Sequence, residues 1–178
     1  MLNLLYPLAM MQAATAQAPE PTPSPAPSPC QSEVHAGFDL WVGQWDVFPS
    51  GRDTQVATST IEKLSAGCAI RETWLPFQGA GGTSISMVNH NTGRWEQTWI
   101  GSDGNRVDFE GGVVDGKMVI TGYWDNVAGP DKDALVRMTY SRAEEGSVRQ
   151  FGEASTDHGI SWQPFFDFIY RPRDPDTP

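Results

Sequence analysis

Phe38-Asp39-Leu40-Trp41-Val42-Gly43-Gln44-Trp45-Asp46-Val47 stands ahead of a long series of short, turn-punctuated segments, and its reading decides the fold. A Gly-x-Trp at the start of the first strand lets the backbone turn tightly at Gly43. It swings the Trp45 indole into the open end of a β-barrel, where a ring that buries up to ~250 Å² can plug the bottom. Turn markers follow at Pro49 to Gly51, Ala66-Gly67, Gly79 to Gly82, Asn91 to Gly93, Asp103-Gly104, Asp115-Gly116, Gly129-Pro130, Glu145-Gly146 and Asp157 to Gly159. This is the spacing of an antiparallel meander.

Between the markers, Val, Ile, Thr, Phe, Tyr and Trp recur at every second position. They predict strands near 44–48, 54–64, 68–75, 83–89, 94–100, 105–113, 117–124, 134–141, 147–154 and 160–170. Only Ser32 to Val42 has room for a short helix, with Ser32 as its cap. A meander this long must curl and close, because an open sheet would leave two strand edges and one apolar face in water. The expected fold is all-β: an antiparallel up-and-down barrel of about 8–10 strands with a short N-terminal helix.

The chain has 178 residues, enough for one core. Its net charge of −10, with 12 Lys and Arg that form no run, argues against nucleic acid and anionic membrane surfaces as partners. Residues 1–18 carry no charged side chain, run apolar from Leu2 to Met11 and end in Ala16-Gln17-Ala18, the pattern of a cleaved signal peptide. The apolar run is too short to span a bilayer, so no transmembrane segment is expected after processing. Residues 19–29 alternate Pro with Glu, Thr, Ser and Ala and read as an extended linker. The barrel is expected over 30–171, with a loose tail over 172–178.

An exported chain with two cysteines can bridge them in an oxidising compartment, and Cys30 with Cys68 would tie the N-terminal arm onto the barrel. A periplasmic or secreted location is the matching expectation.

These residues also carry a resemblance. The opening run above, Gly67-Cys68-Ala69-Ile70-Arg71-Glu72, Thr92-Gly93-Arg94-Trp95-Glu96-Gln97-Thr98-Trp99, Gly146-Ser147-Val148-Arg149-Gln150 and Phe166-Asp167-Phe168-Ile169-Tyr170-Arg171 together resemble an uncharacterised family of exported bacterial lipocalin-like proteins. The resemblance implies a calycin-type barrel and a periplasmic location; the family has no settled activity to carry over.

Candidate ligand contacts come from strand faces. Period two places Trp95, Gln97 and Trp99 together, two indoles flanking an amide on a side suited to a planar or amphipathic ligand. Glu72 alternates with Ile70 and Trp74, Arg137 with Leu135 and Thr139, and Arg149 with Phe151 and Glu153. An inward Arg137 paired with Glu72 or Glu153 would orient a carboxylate or carbonyl. Whether the interior is a cavity or is filled by these aromatics stays open.

The inventory for catalysis is thin. His35, His90 and His158 lack neighbours at metal spacing, and Asp125, Asn126, Asp131 and Asp133 read as a solvated loop. The chain shows no nucleophile elbow, phosphate loop or dinucleotide fingerprint. No metal and no cofactor are therefore expected; a haem barrel would need His90 or His158 to lean in from a turn. The leading expectation is an exported barrel that holds a small apolar or amphipathic molecule. The alternatives are a small envelope enzyme of cyclase or isomerase type using Glu72 or Glu153 as base with Arg137, and a purely structural interaction module.

Overall fold

A computed structural model describes residues 29–174. The expected signal peptide and most of the linker, 1–28, lie outside the described residues, as do the last four residues of the tail. Ten antiparallel strands run as β1 Gly43–Pro49, β2 Ala57–Leu64, β3 Ala69–Pro76, β4 Gly82–Val88, β5 Trp95–Gly101, β6 Arg106–Val114, β7 Lys117–Trp124, β8 Ala134–Arg142, β9 Val148–Ser155 and β10 Gln163–Pro172. Each pairs with its neighbours in sequence. β1 closes the ring on β10, with Trp45 opposite Pro172 and Pro49 opposite Phe168. Closure leaves no strand edge to solvent, the demand the long meander imposed. Among the described residues no helix is long and apolar enough to cross a membrane.

The short N-terminal helix forms as two 3₁₀ turns, Glu33–Ala36 and Asp39–Trp41. Ser32 does flank the first turn. Its hydroxyl, however, bonds His35 Nδ1 at 2.7 Å and caps no backbone N–H, which corrects the expected capping role. The break falls at Gly37, where an added Cβ would stand 2.8 Å from the Trp95 Nε1, so only glycine lets the segment settle this closely on the barrel.

The segment plugs one end of the barrel with three rings rather than one. Phe38 and Trp41 are wholly buried, and Trp45 nearly so. Two indole N–H groups pin the plug: Trp45 Nε1 donates to the Trp41 carbonyl at 2.8 Å, and Trp95 Nε1 donates to the Val34 carbonyl at 2.9 Å. Gly43 accommodates the fold-back, since a Cβ there would lie 3.2 Å from the Trp45 ring.

Cys30 and Cys68 are disulfide-bonded, with Cα atoms 4.9 Å apart and a sequence separation of 38. The bond fastens the lead-in to the plug onto the head of β3.

Candidate functional site

Inward side chains stack in layers above the plug, because alternate residues of every strand face the interior. β3 sends in Ile70, Glu72 and Trp74, and β5 sends in Trp95, Gln97 and Trp99. The lowest of these belong to the plug: Trp95 meets Phe38 edge-on with centroids 5.1 Å apart. Above that level the barrel is not filled. A cavity of about 320 Å³ opens, with Glu72, Gln97, Tyr140, Gln150 and Tyr170 forming a polar floor. Trp74, Trp99, Trp124, Phe165, Phe166 and Phe168 line its aromatic wall.

Two glycines keep the space open. An added Cβ at Gly82 would collide with the Trp99 ring, and one at Gly152 with the Phe166 ring. Both rings therefore occupy the space that a side chain at either glycine would fill. A bulge between Pro164 and Phe166 in β10 breaks the period of two, so that the consecutive Phe165 and Phe166 both line the cavity.

Three of the floor groups form one hydrogen-bonded chain. Gln150 Nε2 donates to the Tyr140 hydroxyl at 2.9 Å, and Tyr170 donates to Gln150 Oε1 at 2.7 Å. Gln97 Nε2 donates to Ser86 Oγ at 2.9 Å. Tyr140 rests on Trp41 with ring centroids 4.8 Å apart, which joins floor to plug.

Among the described residues, Glu72 is the one carboxyl facing the cavity. Ser59 Oγ donates to one carboxyl oxygen at 3.1 Å and Ser84 Oγ to the other at 3.2 Å. Burial without a counter-ion pushes the Glu72 pKa up from the ordinary 4.5 to about 7; the hydroxyls of Ser59 and Ser84, which donate to the carboxylate, only partly oppose it. Tyr170 has a single proton, which it gives to Gln150. Tyr140 and Tyr170 are themselves pushed above their ordinary 10, by burial first and by the nearby Glu72 charge second.

A stability prediction follows from the Glu72 shift. The native carboxyl keeps its proton to about pH 7, whereas the unfolded one loses it near 4.5. Across that window unfolding releases a proton, so stability falls as pH rises, by about 3 kcal/mol in all, and levels off above pH 7. The Glu72→Gln protein lacks this contribution. Urea melts at pH 4.5 and pH 8 should show it gaining about 3 kcal/mol on the wild type between the two; parallel pH curves for the two proteins would refute the assignment. Asp157, pulled down to about 2 by donors from Ser155 and Ser161, titrates outside this window.

Three candidate contacts are not in the interior. Arg137, Arg149 and Glu153 lie on the outer wall, which corrects the inward placement expected for them. The inward face of β8 is Ala134, Val136, Met138 and Tyr140, and that of β9 is Val148, Gln150, Gly152 and Ala154. Arg137 pairs with Glu153 across the two strands at 2.8 Å and covers the Trp162 ring at 4.1 Å. Arg149 forks onto Asp167 with two 2.7 Å bonds and covers Phe151 at 4.8 Å. Guanidinium stems roof these outer aromatics, so an apolar neighbour on the same strand face did not mean interior.

The sequence reading missed Tyr140, Gln150, Tyr170 and the β10 phenylalanines. For β8 the signal was available, since Ala-x-Val-x-Met-x-Tyr is the more apolar of its two faces. None of His35, His90 and His158 lines the cavity. In the Asp125 to Asp133 loop the Asp133 carboxylate and the Asn126 carbonyl accept bonds from the loop's own backbone, at 2.9 and 2.7 Å.

No protein-family model matches the chain, and no curated protein matches it significantly. The ten-stranded closed barrel fits the calycin type in general, and function has to be read from the cavity itself.

Proposed function

We propose that this chain is an exported binding protein of the lipocalin-like kind that carries a small apolar or amphipathic molecule inside its barrel. The observation that carries the reading is the 320 Å³ cavity, whose aromatic wall stands over a floor of hydrogen-bonding groups. Such a site buries an apolar body in rings and orients one polar end on the floor. Export is supported by the Cys30–Cys68 disulfide, which needs an oxidising compartment to persist. The apolar segment ending in Ala16-Gln17-Ala18 supports it from the sequence side.

The test is a titration with N-phenyl-1-naphthylamine, read by energy transfer from the protein's tryptophans. Trp74, Trp99 and Trp124 border the cavity, so a probe bound there quenches them and emits in their place. One saturable site, emptied by competing 4-phenylbutanol, is expected. Emission that does not saturate, or that 4-phenylbutanol leaves unchanged, would overturn the reading.

One observation favours a second reading, a small cyclase or isomerase. Glu72 faces the cavity with its pKa pushed up to about 7, where a carboxyl can take and return a proton at neutral pH. Tyr170 and Gln150 would then hold the substrate oxygen. Glu153 and Arg137 have no part in it, since both lie outside the cavity. The Glu72→Gln protein would still bind the substrate and would release it unconverted.

A further inference from the structure

Among the described residues, no Lys, Arg or His lines the cavity, and its ionisable groups are Glu72, Tyr140 and Tyr170. A fatty-acid carboxylate would arrive beside a buried carboxyl with no cation to receive it. A hydroxyl would find acceptors but no charge to neutralise. The arrangement around Glu72 is complementary to a positive head instead.

We infer that the barrel selects amphiphiles whose polar end is a protonated amine, with the ammonium seated on Glu72 and the apolar body between Trp74, Trp99 and Phe166. The inference rests on the ligand-binding reading and narrows its chemistry. Ser59 and Ser84 each occupy only one lone pair of a Glu72 oxygen, which leaves the carboxylate free to accept further N–H donors. Trp74 stands next on the same strand face, with Phe168 at 5.7 Å and Tyr170 at 6.2 Å between ring centroids. Ring faces within about 6 Å of a desolvated ammonium attract it. Buried charges persist only in pairs, and here the protein supplies the anion alone.

The ionisation of Glu72 is therefore linked to binding. The groups facing it from the other elements are the hydroxyls of Ser59 on β2, Ser84 on β4 and Tyr170 on β10; Tyr140 on β8 is the other titratable neighbour. None of these is charged near neutral pH. Burial keeps the empty site's carboxyl largely protonated below about pH 7, so an amine that binds there must first expel that proton.

The test compares 4-phenylbutylamine, 4-phenylbutanol and 4-phenylbutanoate, three molecules with one apolar body and a cationic, neutral or anionic end. Isothermal titration of the wild type at pH 8 should rank the amine at least tenfold tighter than the alcohol, with the carboxylate weakest. Between pH 6 and pH 8 the amine affinity should rise about tenfold while the alcohol stays flat. At pH 6, runs in two buffers of different ionisation enthalpy should show nearly one proton released per amine bound. In Glu72→Gln the amine should lose its tenfold lead over the alcohol, and both the pH dependence of its affinity and the proton release should vanish.

An alcohol or carboxylate that binds as tightly as the amine, or amine binding without proton release, would overturn the inference and leave the binding reading intact. If none of the three binds, the binding reading itself fails. The wild-type comparison and its pH dependence stand even if the Glu72→Gln protein does not fold.

Discussion

Trp41→Ala should lower the free energy of unfolding by about 4 kcal/mol, because this indole of the plug is wholly buried and its removal leaves a large cavity. Trp41 packs on Phe38 at 5.6 Å, Tyr140 at 4.8 Å and Tyr170 at 5.9 Å, all between ring centroids. Its removal undermines the two tyrosines of the cavity floor as well as the plug. Trp41→Phe should cost less than half as much. The indole N–H is buried without a hydrogen-bond partner among the described residues, so phenylalanine loses volume and no hydrogen bond. Chemical denaturation of the three proteins checks both numbers. Equal losses for the alanine and phenylalanine variants would show that Trp41 Nε1 has a partner worth keeping.

Removing the disulfide in the Cys30→Ser, Cys68→Ser protein should cost about 4 kcal/mol, the chain-entropy value for a loop of 38 residues. The effect is largely one on the unfolded chain, which regains the freedom the loop denies it. There is a native consequence too. The loop contains both 3₁₀ turns, β1 and β2, so the bond holds the plug at the barrel end while the first strands pair. Amide exchange should therefore quicken at Val34 to Trp41 more than in β6 to β8. Urea midpoints with and without reductant give the stability term directly, and coincident midpoints would refute it.

Much of the architecture was legible because two local signals agree along the chain. Glycine and Asp-Gly turn markers set the strand count, and period-two alternation set which residues share a face. Glu72 with Trp74, and Gln97 with Trp99, follow from that alternation alone. The faces of β8 and β9 were harder, since Phe151 and Trp162 are apolar yet sit outside under Arg149 and Arg137. A guanidinium over a ring looks, in one dimension, like a charge among core residues. Phe165 was missed for another reason: a bulge shifts the period by one residue, and Pro164, which cannot donate to the ladder, was its one local sign.

What the sequence left open was whether the interior is a cavity or a filled core. The cavity depends on Trp99 and Phe166 packing over Gly82 and Gly152, residues that meet only when the strands pair. The polar floor is of the same kind, drawn from β3, β5, β8, β9 and β10. Each member taken alone looks like an isolated polar residue in a strand, and only closure of the barrel brings Tyr140, Gln150 and Tyr170 into one chain of bonds.

The central claim is that a small molecule sits inside this barrel with its polar end on Glu72. The most direct measurement is a crystal structure grown with 4-(4-bromophenyl)butan-1-ol, located by the anomalous scattering of its bromine. The predicted result is one bromine peak among Trp74, Trp99, Phe166 and Phe168, with the hydroxyl within hydrogen-bond distance of Glu72 or Tyr170. A bromine found only on the outer wall, or an interior closed up by the aromatic rings, would contradict it.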